Sequence, residues 1–481
     1  MQQSYTDLES TANQLQETFH KILSPERINQ LAKLTRLVIR SRCFVPSIFL
    51  EAVMTLLING DKEFSLRSIH ERYGDLMDDR DLPAMSWEPF YDFLAKKSFL
   101  PFVIQIYDEL KAVAHQESFS DSADLVEVLK TKLPNLRDVY LQDGSEVACL
   151  CKDFKGKIDN QAKIHRTFSL THQTEVTSTI TSGVASERAE IDLSLLKDIL
   201  LMADAGYVSN ELFKNIADAG GMFLIKLKSN TALVIDSCIK YNDDGTLTDD
   251  VETTNQWDEP YCLNHKKFKD GHTYDFIVHN KNNEEFKYRV VALFNKAKGS
   301  YVYFATNIPQ EALDAIQVSE LYRSRWQIEI SFRILKGFCT LKKISSTKKN
   351  LVKAFIYLSQ IVYLLKAITG QQLQKMVGQP LSPKKVAKFL NAHLIKLFNL
   401  INSAKPIVNY LTKKVKLFAR WTKESPSYIN RMRGKSMQHI IDVVKQDPLT
   451  VLTTALLMFL NSISQPLKHY YVKNFGFIYL Y

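Results

Sequence analysis

The chain has 481 residues, of which 24% are charged and 45% hydrophobic, with 62 lysines and arginines against 52 aspartates and glutamates. This length is too great for one simple core and predicts about two to four domains of an ordinary globular protein. The formal charge of +10 suits a polyanionic partner such as nucleic acid, although many proteins carry such an excess for no specific reason.

Three further features argue against a secreted or membrane protein. The N-terminus MQQSYTDLES lacks the basic start and apolar run of a signal peptide. The most apolar stretches, 354–365 and 449–460, are shorter than the roughly 18 residues of a spanning helix and predict core helices. The six cysteines show no disulfide-framework spacing, and the isolated Cys262-x-x-His265 has no second ligand pair for zinc. We therefore expect a cytoplasmic protein without a membrane partner.

Residues 1–130 are predicted to be helical, because apolar residues recur at intervals of three and four in ERINQLAKLTRLVIR and SIFLEAVMTLLI. SLRSIHERYG, a polar turn and MSWEPFYDFLAKK have the outline of a helix-turn-helix, with Ser86 placed to cap the second helix. This pattern fits a DNA-binding head and an ordinary helical bundle about equally well.

A change of pattern at Pro134 predicts an α/β region. RDVYLQDGSEVACL (137–150) indicates a strand that runs into a turn at Asp143-Gly144, and further strands are expected near 163–170 and 176–182. DLSLLKDIL is predicted to be helical, and LLMADAGY to be a buried strand that ends at Asp204. SNELFKNIADAGG then has the serine cap and glycine stop of a helix, and MFLIKLKS is the next strand.

The polar, strand-rich sequence from about 230 to 300 predicts a mostly antiparallel insertion, with strands in YDFIVHN, FKYRVVALFN and YVYFATNIP. The chain beyond it is predicted to be helical to its end. A basic run at 412–423, TKKVKLFARWTK, fits either a DNA contact or a solvated helix face.

The segment LYRSRWQIEISFRILKGF, residues 321–338, is predicted to be one helix. At about 100° per residue, one stripe about 60° wide and roughly 21 Å long carries four polar residues. These residues are Tyr322, Arg325, Glu329 and Lys336. Cationic and hydroxyl donors position a phosphate backbone without reading its sequence. The stripe therefore indicates a surface that faces a nucleic-acid backbone around a single carboxylate.

Two aspartates stand out together with Glu329. Asp143 and Asp204 each follow an apolar run and precede a glycine, and the ends of strands in α/β sheets are where binding sites form. Carboxylates that lie together repel one another unless cations lie between them, and Mg²⁺ prefers carboxylate, water and phosphate oxygens. Two such ions about 3.5–4 Å apart can activate a nucleophile and stabilise a leaving oxygen in phosphoryl transfer.

Tyr322, Arg325, Glu329 and Lys336 match, in type and spacing, the signature Y-x2-R-x3-E-x6-K of the DDE cut-and-paste transposases of bacterial insertion sequences. The segments ATNIP and LYRSRWQIEISFRILK, LQDGSEV around Asp143, and MADAGYVS around Asp204 also resemble that family. The resemblance covers about residues 137–365.

This resemblance implies an α/β fold with a ribonuclease-H-like catalytic core, interrupted by a β-rich insertion and flanked by helical N- and C-terminal regions. It implies that Asp143, Asp204 and Glu329 are catalytic and bind two Mg²⁺ ions, for which Mn²⁺ can substitute. Tyr322, Arg325 and Lys336 would bind DNA phosphates. Water would cut one strand at the transposon end, and the freed 3′-hydroxyl would attack the opposite strand, often closing a hairpin, and later the target DNA.

The partners implied are double-stranded DNA, as transposon inverted repeats and target, and a second copy of the chain that bridges two ends. When bound to DNA the protein would be associated with the nucleoid. We expect a helical region at 1–130, the first part of the core at 131–229, the insertion at 230–304, the second part of the core at 305–400, and a helical region at 401–481 that serves dimerisation.

Plainer explanations exist for each residue. Asp143 suits a turn, Asp204 a helix cap, and Glu329 a solvated helix face, while Arg325 and Lys336 suit surface ion pairs and Tyr322 a buried ring. Two further residues have a structural and a functional interpretation. Trp257 fits a loop anchor better than a partner for a flipped base, and His165 on a core strand is expected to be packed rather than catalytic.

Rival functions are another nuclease or recombinase on the same fold, a domesticated or decayed transposase that binds DNA without cutting it, and an unrelated basic helical scaffold. The complete signature argues against the first, the presence of all three carboxylates against the second, and the two aspartates at predicted strand ends against the third.

Overall fold

A computed structural model of the chain describes residues 5–39, 44–59, 65–116, 120–157, 159–228, 231, 233–241, 247–253, 261–263, 265–341, 343–378, 380–402, 406–424, 431–432 and 435–446. The chain divides into two compact units. The first comprises Met1–Glu127, Arg137–Asp192 and Arg323–Ile440, and the second comprises Val128–Leu136, Leu193–Tyr322 and Ile441–Tyr481. The architecture is mixed α/β.

The N-terminal region is helical, as predicted. Its helices are α1 (Tyr5–Leu23), α2 (Pro25–Leu34), α3 (Pro46–Asn59), α4 (Leu66–Asp78), α5 (Trp87–Leu94), α6 (Phe99–Ala114) and α7 (Asp121–Lys132). α4 and α5 form the predicted helical pair, and Ser86 stands at the N-cap of α5, although its hydroxyl makes no capping hydrogen bond in the described structure. Residues 79–86 make a longer connection than the roughly three- to four-residue turn of the DNA-binding motif.

The α/β region begins with strands at the predicted places. They are β1 (Asp138–Cys149), β2 (Gln161–Ser169), β3 (Thr174–Ser182), β4 (Ile199–Ala203) and β5 (Met222–Leu227), with α8 (Asn210–Asp218) before β5. Ser209 caps α8, and Gly220, with φ of 75°, supplies the left-handed residue beyond its end.

Two local predictions in this region are wrong. β1 does not end in a turn at Asp143, because Asp143 and Gly144 stay paired with Arg166 and His165 of β2, so that the carboxylate lies in the middle of a long strand. DLSLLKDIL is not a helix: it makes a short 3₁₀ turn at Leu193–Leu195 and enters β4. Asp198, with φ of 60°, interrupts the right-handed backbone, and apolar runs this short do not distinguish helix from strand.

The strands predicted between about 230 and 300 are present and pair antiparallel with one another. The strands of this region are β6 (Val234–Tyr241), β7 (Leu247–Thr253), β8 (Thr273–Asn280), β9 (Asn283–Asn295) and β10 (Ser300–Thr306). In the second unit, β4 pairs in parallel with β5, and antiparallel pairing then joins β5 to β10, β10 to β9, β9 to β8, β8 to β6 and β6 to β7.

The signature segment forms two helices instead of the single helix predicted. They are α9 (Ala315–Arg323) and α10 (Trp326–Phe338). At the break the amides of Gln327 and Ile328 bond to the carbonyls of Ser324 and Arg325, three residues back, which tightens the turn. Because Arg325 keeps a right-handed helical backbone, with φ of −53° and ψ of −25°, the side-chain periodicity gives no sign of this break.

The described part of the chain beyond α10 is mainly helical, as predicted. Its elements are β11 (Lys343–Ile344), α11 (Lys349–Val377), α12 (Pro383–Asn391), α13 (Leu394–Asn402), α14 (Val408–Glu424), β12 (Arg431–Met432), β13 (Lys435–Ser436) and α15 (Met437–Lys445). The basic run lies on α14, whereas the apolar stretch 449–460 lies outside the described residues.

α11 is long and apolar enough to cross a membrane, but 83% of its most apolar window is buried within the protein. A buried core helix passes the same length and composition test, and burial here agrees with the core helix predicted for 354–365. In the first unit, α11 packs on α6 and β3, while α10 packs on β1. β1 also pairs antiparallel with β2 and in parallel with β11, which fixes the surface against which α10 lies.

Candidate active site

Asp143 is held in a fixed position by β1. Its Oδ1 accepts a hydrogen bond of 2.8 Å from the Gly144 amide, and its side chain is 21% exposed. Gly144 lies beside the Lys163–Glu187 ion pair, so that a β-carbon there would stand 3.0 Å from Glu187 Oε1. The strand thus presents one carboxylate oxygen next to a backbone donor and leaves Oδ2 directed towards α10.

Arg325 joins the carboxylates of β1 and α10. Its Nη1 lies 3.6 Å from Asp143 Oδ2, and its Nη2 pairs with Glu329 Oε1 one helical turn away. The Arg325 side chain is only 9% exposed, and that of Glu329 is 24% exposed. The first unit therefore brings together Asp143, Glu329 and Arg325, three of the six predicted site residues.

Asp143 and Glu329 border an open cleft of about 570 Å³. It is lined by Asp143, Gly144, Ser145, Glu329, Phe332, Arg333, Lys336 and Gly337. Burial lowers the pKa of Lys336, and the carboxylates of Glu146 and Asp143 partly oppose this shift. A fourth predicted residue, Lys336, thus lies in the same cleft. Ser145 and Arg333 were not predicted, although Ser145 lies two residues beyond Asp143 and so on the same strand face.

A buried network contacts α10 at Ser331 and Phe332. Arg166 on β2 is fully buried; its Nη1 donates to Ser331 Oγ at 3.2 Å, and its Nη2 lies 3.6 Å from Oε2 of the equally buried Glu175. The guanidinium also lies over the rings of Phe332 and Tyr363, at 5.1 and 5.0 Å. Sequence reasoning missed Arg166; the one available signal was a charged residue inside a predicted core strand.

Asp204 and Tyr322 belong to the second unit. Asp204 follows the end of β4, as predicted, and its Oδ1 accepts a 2.8 Å hydrogen bond from the Gly206 amide at the start of a 3₁₀ turn. Tyr322 donates its hydroxyl to the Ala203 carbonyl at 3.0 Å, next to Asp204, and its ring packs on Phe304. Within this unit, the tyrosine of the signature thus contacts the strand that carries Asp204.

The remaining candidates divide into described and undescribed residues. His165 is 1% exposed, its Nε2 lies 2.7 Å from Thr181 Oγ1, and burial lowers its pKa, as expected for a packed histidine. Trp257 lies outside the described residues. His265 uses Nδ1 to accept a bond from the Lys267 amide and stacks on Tyr261.

The carboxylates of Asp143 and Glu329 in the first unit provide the oxygen ligands that suit a hard divalent cation. Among the residues that the structure describes, no group of three or more His, Cys, Asp or Glu side chains is arranged to hold a metal ion. Asp143 and Glu329 nevertheless already direct oxygens at one positive group, Arg325, and carboxylate oxygens are the ligands that Mg²⁺ prefers.

Residues 143–365 match the family model described as the transposase DDE domain. The matched residues, just under half of the chain, are therefore similar to a transposase DDE domain. All six predicted site residues fall inside it, from Asp143 to Lys336.

Transposases of bacterial insertion sequences match parts of this chain. The chain is 27% identical over 149 residues to the transposase for insertion sequence element IS231F of Bacillus thuringiensis subsp. israelensis, covering 30% of this chain and 31% of the relative. It is 26% identical over 199 residues to the transposase for IS1151 of Clostridium perfringens, covering 34% and 41%. The match thus spans less than half of either relative. A solved piggyBac transposase synaptic complex with hairpin DNA aligns with 83% of this chain and 84% of its own, at 12% identity and a TM-score of 0.42.

Proposed function

We propose that this protein is a DNA transposase that cuts strands at the inverted repeats of its element and joins them to target DNA. Asp143, Asp204 and Glu329 act as its catalytic carboxylates, on a ribonuclease-H-like core. The observation that carries the proposal is that Asp143 and Glu329 both contact the Arg325 guanidinium and both line an open cleft that Lys336 also lines.

The cleft suits a phosphodiester. Its carboxylates lie on a strand and on a helix packed against it, and such rigid elements hold a reacting group in place better than loops. Lys336, about two turns beyond Glu329 on α10, places a positive charge roughly 10 Å along the helix, where it would bind a neighbouring phosphate. Tyr322 holds the end of β4 through Ala203 and so orients the Asp204 segment.

Asp143 and Glu329 would hold the cation together with Asp204. Two Mg²⁺ ions, or Mn²⁺ in their place, would supply activation of the attacking oxygen and stabilisation of the leaving oxygen of an in-line displacement when bound. The chain's own contribution is to fix the carboxylates by backbone hydrogen bonds and packing, and to bind the DNA strand through Lys336 and Arg325.

We infer that the protein works as a homodimer that bridges two DNA ends, in the cytoplasm and at the nucleoid. The helical N-terminal region would bind the ends and the C-terminal region would serve dimerisation, with domain boundaries at 130, 229, 304 and 400. The net charge of +10 agrees with such a polyanionic partner.

The test is strand cleavage on DNA that carries the inverted repeats flanking the gene. Purified wild type, Glu329→Gln and the exposed control Glu285→Gln are compared in Mg²⁺, Mn²⁺ and EDTA. We expect wild type and Glu285→Gln to leave a 3′-hydroxyl at the element end in either metal, and Glu329→Gln and every EDTA reaction to leave the DNA intact. Equal binding of the ends by all three proteins without any cutting would instead identify a DNA-binding relic.

A further inference from the structure

Arg325 occupies the position where the proposed metal ligands converge. Its guanidinium reaches Asp143 Oδ2 on β1 and Glu329 Oε1 on α10 while only 9% of the side chain is exposed. The residue stands at the start of α10, where the tightened turn at Ser324 sets its direction. A residue of a phosphate-binding stripe would face solvent, whereas this one is directed into its own carboxylates.

The contact of Arg325 with Asp143 and Glu329 competes with the binding of a metal ion by these carboxylates. Two carboxylates directed at one point repel each other, and an opposite charge between them removes that cost. A guanidinium has only N–H donors and no lone pair, so it cannot itself ligate a cation and is repelled by one. Asp143 Oδ2 and Glu329 Oε1 can therefore bind Arg325 or a divalent cation, and not both at full strength.

We propose that Arg325 is the internal counter-ion of this site: it holds Asp143 and Glu329 in place in the metal-free, DNA-free protein and gives up their oxygens when a divalent cation binds. This inference rests on the proposed function, in which those carboxylates bind the cation. The displaced guanidinium then needs another anion, and a DNA phosphate in the cleft provides one. Metal and DNA consequently bind cooperatively, because each favours the arrangement in which Arg325 has left the carboxylates.

Arg333 provides a matched control. It lies on α10 and lines the cleft together with Asp143 and Glu329, but its guanidinium lies 4.5 Å from the Trp326 ring centre, in a cation–π contact. Arg333→Gln removes one positive charge from the cleft and leaves the Arg325 contacts in place. A comparison of Arg333→Gln with Arg325→Gln therefore separates the effect of the cleft's net charge from the counter-ion role of Arg325.

The experiment is calorimetric titration of the DNA-free, full-length protein with Mn²⁺. Arg325→Gln is expected to bind Mn²⁺ about tenfold or more tightly than wild type, because the guanidinium that competes with the metal for these carboxylates is removed. Arg325→Lys and Arg333→Gln are expected to stay within about threefold of wild type. The double variant Arg325→Gln/Glu329→Gln should lose the gain. Equal affinity of Arg325→Gln and wild type would overturn the counter-ion role.

A measurement on the wild type does not depend on how the glutamine variant folds. The Nε–H resonance of Arg325, assigned by its loss in Arg325→Lys, is followed during titration with Mg²⁺. We expect it to move to the position of a solvent-exposed guanidinium; a resonance that stays in place while metal binds would contradict the inference. If Glu329→Gln binds Mn²⁺ as tightly as wild type, the proposed metal site itself is wrong, and the counter-ion role is lost with it.

Discussion

The Arg166–Glu175 pair offers the sharpest test of how the fold supports α10. Both side chains are fully buried, so that replacing Arg166 by methionine leaves the Glu175 carboxylate in the core without its partner. The same change removes the bond to Ser331 and the contact with two aromatic rings. We expect Arg166→Met to lower the free energy of unfolding by about 3–5 kcal/mol, the usual effect of breaking a buried ion pair from one side.

The double variant Arg166→Met/Glu175→Gln measures the origin of this loss. Because neither residue is then charged, most of the loss should be recovered, in line with the near-neutral effect of replacing a whole buried pair. Urea unfolding of wild type, both single variants and the double variant gives the coupling energy. Arg333→Met, which removes an exposed arginine from the same helix, serves as control and should cost less than about 1 kcal/mol. A loss below about 1 kcal/mol for Arg166→Met, or a double variant no more stable than the single one, would refute this reasoning.

Three further outcomes can be checked by the same unfolding assay. Tyr322→Phe loses the hydroxyl bond to Ala203 and should cost about 1 kcal/mol of stability; an unchanged midpoint would contradict a structural role for the hydroxyl. Gly144→Ala brings a β-carbon to 3.0 Å from the end of the flexible Glu187 side chain, so we expect a cost below about 1 kcal/mol and a folded protein. His165 has a pKa lowered by burial, so the unfolded state binds its proton first and stability falls as the pH drops below about 6.5. His165→Gln should flatten that fall between pH 7 and about 5, and an unchanged slope would assign it to other groups.

The sequence predicted residues that lie together in the candidate site better than it predicted the elements that carry them. Spacing alone picked out Glu329 and Lys336, and the structure puts both in one cleft with Asp143. Periodicity was unable to reveal the break at Ser324, since a tight turn with right-handed backbone keeps the same side-chain directions. The sequence predicted only a phosphate partner for Arg325. Nothing within residues 321–338 shows that a strand far away in sequence brings Asp143 to the Arg325 guanidinium.

The same limit applies to β1 and to Arg166. An Asp-Gly pair forms a hairpin turn only where the next strand follows at once, and β2 begins at Gln161, well beyond Gly144. The burial of Arg166 depends on Glu175, Ser331 and Tyr363, which come from three separate elements. Long-range pairing of this kind leaves only a weak trace in a single sequence, as a charge within an apolar strand.

The most direct test of the central claim is to locate the metal on the protein itself. Fe²⁺ bound in place of Mg²⁺, with ascorbate and peroxide, generates radicals that cut the polypeptide near the ion, and the fragments are mapped by mass spectrometry. We expect cuts around Asp143, Asp204 and Glu329 that disappear with excess Mg²⁺ and in Glu329→Gln. Cuts confined to other parts of the chain, or cuts that persist in Glu329→Gln, would contradict that claim.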